Sequence, residues 1–171
     1  MPCPFSATRL RHIRLAAAAI AAVTAAVLPA AAPAAPTTEK IHMTWLRSGT
    51  TSSAPFRGTG TGAFTASGIL DDAGTVSVTG QDTSVASPIV AVAWLDEVLT
   101  SPDGMLELRC PVITRGPFTD PSRIPVKGSC TIISGTGIYA GLHGRGDFTG
   151  FVNLTVGPAG QVTQDITLKV T

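Results

Sequence analysis

From residue 36 onward the chain alternates apolar and polar positions with a period of two, the signature of strands that bury one face. The clearest run closes the sequence, where Val162, Ile166, Leu168 and Val170 alternate with Thr163, Asp165, Thr167 and Lys169. Before it, Phe148, Val152, Leu154 and Val156 alternate with Asp147, Thr149, Asn153 and Thr155. Shorter runs of the same kind are Ile41, Met43 and Trp45 against His42 and Thr44, then Phe64, Ala66 and Leu70, then Val76 and Val78. The segment from Pro88 to Leu95 departs from the pattern by being apolar on both faces. No stretch after residue 36 has the spacing of an amphipathic helix. Turn chemistry separates the runs at Asp71-Asp72-Ala73-Gly74, Ser101-Pro102-Asp103-Gly104 and Gly157-Pro158-Ala159-Gly160.

This pattern predicts eight strands, near 39–47, 57–70, 75–80, 88–99, 104–113, 126–134, 147–156 and 162–171. An all-β chain of eight antiparallel strands with short turns suits a closed barrel, which has no exposed edges to protect; a two-sheet β-sandwich is the alternative. The doubly apolar segment Ile89 to Leu95 calls for a cover on its outer face, either a subunit contact or the Pro-rich stretch 112–127 folded over it. Between the sixth and seventh strands lies Ser134 to Gly150, in which Gly135, Gly137, Gly141, Gly144, Gly146 and Gly150 surround Tyr139, the single tyrosine. Glycine at this density permits positive φ and close backbone approach, so these are structural glycines of a tight connection that re-aims one strand into the next. Tyr139 is expected to plug a barrel end with its hydroxyl bonded to backbone, the other reading being that it lines a ligand site.

The first residues change the compartment. Arg9, Arg11 and Arg14 precede an apolar run from Leu15 to Leu28 and a small-residue tract ending in Ala32-Pro33-Ala34. That is the layout of a secretory signal peptide over 1–34, removed after Ala34, with 35–171 as a single domain. The apolar run is shorter than the ~20 residues of a membrane span; an uncleaved anchor is the alternative. A secreted, extracellular location follows, with no membrane association after cleavage. Without the leader, nine Lys and Arg face eleven Asp and Glu. A domain with a net charge of about −2 is a poor candidate for nucleic acid or anionic membranes, whose recognition wants a basic patch.

Cys110 and Cys130 are then the two remaining cysteines, each on the apolar face of its strand. In an oxidising compartment they are expected to form a disulfide, with a pair of buried free thiols as the other possibility. Two Cys and two distant His match no usual metal-ligand spacing, and Gly135-x-Gly137-x-x-x-Gly141 is no dinucleotide fingerprint, so no metal and no cofactor are expected. No catalytic set emerges either. His143, Arg145 and Asp147 share one face, but the even positions Phe148, Val152 and Leu154 are apolar, which turns the three to solvent. Asp71-Asp72 falls in a turn, and Asp96-Glu97 places its carboxylates on opposite faces. Glu107 and Arg109 are expected as outward salt-bridge partners, and His42 as a surface residue. Trp45 and Trp94 are the large apolar anchors. With Tyr139 they are the candidate ligand-binding residues, Trp45 as barrel filling or as the floor of a pocket.

Gly58, Gly60, Gly62 and Phe64, the turn Asp72-Ala73-Gly74-Thr75, and Ser134-Gly135-Thr136-Gly137-Ile138-Tyr139-Ala140-Gly141 together resemble small secreted actinobacterial proteins of the allene oxide cyclase and dirigent-like barrel type. The resemblance covers most of 35–171 in strand order, and 134–146 carries its one specific motif. It implies an eight-stranded antiparallel barrel, commonly a trimer, whose interior shapes a pocket. Those families' functional carboxylates find no matching positions in this chain. The leading expectation is a non-catalytic secreted barrel that takes a small apolar ligand or acts as an extracellular homo-oligomer. A cofactorless isomerase of the allene oxide cyclase kind, or a dirigent-like orienting protein, is the second. An envelope-associated structural protein with a filled core is the third. An open apolar cavity separates the first two from the third.

Overall fold

The computed structural model describes residues 35–48, 57–87 and 90–171. The expected signal peptide over 1–34 lies outside them. Eight strands follow in chain order: β1 (Thr37–Ser48), β2 (Arg57–Ser67), β3 (Asp72–Ser87), β4 (Val90–Ser101), β5 (Gly104–Arg115), β6 (Ile124–Gly137), β7 (Gly144–Asn153) and β8 (Gln161–Val170). Each pairs antiparallel with the next, and β8 pairs back onto β1 to close the barrel. The β-sandwich alternative is therefore set aside. All eight expected strands are present. The largest boundary difference is β3, which runs beyond the expected 75–80 into a stretch with register shifts between Asp82 and Ser84 and between Val85 and Ser87.

Alternation sends one face of every strand inward. On β1 the buried positions are Glu39, Ile41, Met43 and Trp45, and on β8 they are Val162, Gln164, Ile166, Leu168 and Val170. Glycine on the inner face makes room for the rings. A Cβ on Gly60 would strike the Trp45 indole, one on Gly128 would lie 2.5 Å from Phe148 Cε1, and one on Gly74 would lie 2.9 Å from Phe64 Cε1. Each ring thus takes the space that a side chain on a neighbouring strand would fill, and a fully buried ring of this size contributes about 2–3 kcal/mol.

Two expectations about coverage are corrected. The stretch 112–127 is mostly strand, because β5 runs to Arg115 and β6 begins at Ile124, leaving a connection of 116–123. Phe118 of that connection lines the interior cavity, so this loop caps a barrel end instead of covering β4. Trp94 is no core anchor. It stands on the outer face of β4, 45% exposed, in register with Pro111 on β5. Glu97 and Leu99 point inward and set the strand's parity, which turns Trp94 out. The Ile89 part of the apolar run lies outside the described residues.

The glycine-rich connection does what its composition predicts. On β6 a bulge places Ile133 opposite no partner, since Glu107 pairs with Ser134 and Leu108 with Ile132. Inward parity switches there from even to odd positions, and Ile133 is left exposed. Gly137 and Gly141 then take φ of 61° and 78°, which only glycine adopts without strain, and the chain reverses tightly enough to drop Tyr139 into the barrel end.

Candidate functional site

The barrel interior is divided into a filled half and an open half. Toward the Tyr139 end it is packed by Ile41, Met43, Phe64, Val76, Leu99, Leu106, Ile166 and Leu168. The Cys110–Cys130 disulfide lies inside this region, joining the inner faces of β5 and β6 as the sequence led us to expect. Toward the opposite end, beneath the 116–123 and 154–160 connections, lies a cavity of about 240 Å³. Small side chains create it: Ala91 and Ala93 occupy inward positions of β4 where larger ones would fill the space. Trp45, Leu95, Val112, Val126, Phe148 and Val162 form its apolar wall, and Phe118 and Leu154 overhang it. Polar groups are few, with Arg47 and Thr114 toward the outer end of their strands and Gln164 deeper.

Gln164 belongs to a buried hydrogen-bonded chain. The Trp45 indole Nε1 donates to Gln164 Oε1 at 2.7 Å, and Gln164 Nε2 donates to Glu97 Oε1 at 3.0 Å. An indole can only donate, so it fixes which end of the amide faces which neighbour. Glu97 is fully buried, and its other oxygen, Oε2, lies 3.4 Å from Cys110 Sγ. A disulfide sulfur carries no proton, so this contact suits the carboxylic acid form of Glu97, whose O–H is the available donor. Burial pushes the Glu97 carboxyl from its ordinary 4.5 up to about 7, with the Gln164 hydrogen bond acting in the opposite direction. Glu97 does not line the cavity; Gln164 stands between them.

Three ligand-type atoms, from Glu97, Cys110 and Cys130, lie within 4.8 Å of one another. The sulfur–sulfur bond occupies both thiols, which removes the thiolates a metal would need.

A second polar group occupies the opposite barrel end. Tyr139 is 1% exposed, and its hydroxyl donates to Asp72 Oδ2. The expected partner was backbone; a carboxylate serves instead, because Asp72 is the first residue of β3 and not a turn residue. Burial pushes the Asp72 carboxyl up, but hydrogen bonds from Ser101, Tyr139 and the Ala73 N–H outweigh it and hold the group below its ordinary value. Burial and then the bond to Asp72 push the Tyr139 phenol well above its ordinary value. Nearby, Glu39 is 3% exposed; its Oε2 accepts from the Ile69 and Leu70 N–H groups at 2.9 and 3.2 Å, while Oε1 has no partner. Glu39 thereby caps the turn between β2 and β3.

The structure separates the three candidate ligand-binding residues. Trp45 lines the cavity, Tyr139 plugs the other end of the barrel, and Trp94 faces outward. Gln164, which the sequence reading passed over, and Glu97, which it weighed only as half of the Asp96-Glu97 pair, sit at the cavity floor and behind it. A signal for both exists in hindsight, since each occupies the inward parity of its strand: Gln164 between Val162 and Ile166, Glu97 between Leu95 and Leu99. Outside the barrel, His143, Arg145 and Asp147 are all exposed, as expected. His42 is a surface residue whose Nδ1 lies 2.7 Å from Asp165 Oδ1 across the β1–β8 pair. Arg109 pairs with Asp96 on β4 at 2.7 Å instead of with Glu107, which accepts from Ser134 Oγ at 2.9 Å. Residues two apart on one strand lie farther from each other than cross-strand neighbours do.

No family model, curated protein or solved structure matches the chain, so the barrel and its cavity stand as the ground for any functional reading.

Proposed function

We propose that this protein is an exported β-barrel that holds a small, mainly apolar molecule in the open half of its interior. The observation that carries this reading is the half-hollow barrel: one end is packed solid, while the other keeps a cavity of about 240 Å³ walled by aromatic and aliphatic side chains. Such an apolar pocket with a few placed polar groups is the usual form of a small-molecule site. A structural protein with a filled core would have no use for alanines at Ala91 and Ala93, where larger apolar residues would add stability. Binding is favoured over acid–base conversion of the ligand because the cavity lining carries no carboxyl among the described residues, and the buried Glu97 is reached only through Gln164. A group that cannot reach the substrate is a poor general acid or base.

The test has two arms. Native mass spectrometry of protein secreted into its own culture medium should show a retained small molecule. Toluene titrated into the empty protein should change the emission of Trp45, read in a Trp94→Phe background. Ala93→Phe fills the cavity and should abolish both signals while circular dichroism stays unchanged. Retention of the molecule by a folded Ala93→Phe protein, or a native protein that takes up neither, would sink the reading.

A further inference from the structure

The cavity floor has more chemistry than an apolar pocket needs. Gln164 is fully buried, yet it carries two donors and two acceptor sites, and the structure accounts for one of each. Trp45 occupies one lone pair of Oε1, and Glu97 takes one hydrogen of Nε2. One lone pair and one N–H remain, on a residue that lines the cavity. The two bonds it does make hold the amide plane still. Its orientation is set because the indole can only donate, and Glu97 receives the opposite end of the amide. A rigid, buried, half-satisfied amide is a costly thing to leave unpaired in an apolar site.

We propose that the ligand of this cavity is a neutral, apolar molecule with a single hydroxyl group at its buried end, and that Gln164 selects it by hydrogen bonding to that hydroxyl. This rests on the binding reading given above and adds the class of molecule. A hydroxyl both donates and accepts, which matches the remaining acceptor and donor of the amide. A carboxylate can only accept, so it would leave the Gln164 lone pair unmatched, and it would stand one residue from the Glu97 carboxyl. An alkane would leave both amide sites bare. Trp45 and Glu97 act here as positioning residues: they orient the amide and do not touch the ligand's hydroxyl.

Two probes of equal shape, cyclohexanol and methylcyclohexane, test the idea. Their affinities are compared as a ratio in the native protein and in Gln164→Leu, which cancels the different ease with which each leaves water. Replacing the amide should shift the ratio toward methylcyclohexane by about tenfold, through weaker binding of the alcohol. The native protein provides a second readout if the variant fails to fold. The side-chain amide resonances of Gln164 should move on saturation with cyclohexanol and stay in place with methylcyclohexane. Binding of both probes with an unchanged ratio, or with an amide that the alcohol does not move, overturns the inference and leaves the binding reading intact. Binding of methylcyclohexane without cyclohexanol overturns the inference alone, and failure of both probes to bind overturns both.

Discussion

Glu97 illustrates how one residue ties the interior to pH. Its carboxyl sits at about 7 in the folded protein against an ordinary 4.5, because burial disfavours the charged form. The folded protein keeps this proton over a range in which the unfolded chain has already released it. The stability contributed by the neutral form is therefore complete below about pH 4.5, falls as pH rises toward 7, and is absent above that. The shift corresponds to about 3 kcal/mol at most. Glu97→Gln, which has no proton to lose and still accepts from Gln164, should flatten this dependence. Urea midpoints compared between about pH 5 and about pH 8 should fall for the native protein and stay level for the variant. Gly60 makes a steric counterpart. A Cβ there meets the Trp45 ring, so Gly60→Val should push the indole out of its place, at a cost of about 1–3 kcal/mol seen in chemical denaturation and in Trp45 emission. Neither effect is visible from the residue type alone. Glu97 reads as half of an acidic pair and Gly60 as one of several strand glycines until the facing strand is known.

At the scale of elements, the β6–β7 connection shows how far a local pattern reaches. The glycines of 134–146 announced a tight reversal, and the positive φ of Gly137 and Gly141 makes it. The bulge at Ile133 was not announced, because a two-against-one pairing is a property of two strands, and Glu107 and Leu108 lie about 25 residues upstream of their partners. The connection is anchored by the Tyr139 hydroxyl on Asp72, which ties it to the start of β3. Tyr139→Phe keeps the ring and removes that bond to a charged acceptor. It should cost about 1–3 kcal/mol, and amide exchange should accelerate at the β6–β7 connection and around Asp72 while the cavity end keeps its protection. Uniform acceleration throughout the barrel would show that Tyr139 supports the whole fold instead of one end. The parity of β4 teaches a related lesson. Apolar on both faces, the run up to Leu95 carries no sign of which side is in, so Trp94 reads as an anchor although it lies outside.

At the scale of the whole molecule, closure and the disulfide act together. Cys110 and Cys130 are almost fully buried and close a loop of 20 residues, a constraint worth about 3 kcal/mol in the chain-entropy estimate. Because the bond lies inside a closed barrel, a thiol reductant reaches it only when strands separate. Reduction by dithiothreitol should therefore be slow under native conditions and accelerate with urea in parallel with unfolding. Fast reduction of the folded protein would mean that β5 and β6 part locally. The same closure explains the division of the interior. The inner faces of eight strands converge on one space, and whether it fills depends on which side chains meet across it, large ones around Leu99 and Ile166, small ones at Ala91 and Ala93.

The alternation of apolar and polar positions by itself determined eight strands, their inward residues on β1 and β8, and the placement of two cysteines on inward faces. These are local properties, because side-chain direction in a strand follows from position parity alone. Tertiary structure decided the rest: that the sheet closes as a barrel, that β4 turns Trp94 out, that Asp72 meets Tyr139, and that Gln164 joins Trp45 to Glu97 beneath an open cavity. Each of those contacts links residues about 65 to 120 positions apart or depends on the facing strand. The hydrogen bond from Trp45 to Gln164, at a separation of 119 residues, exists only because β8 returns to pair with β1.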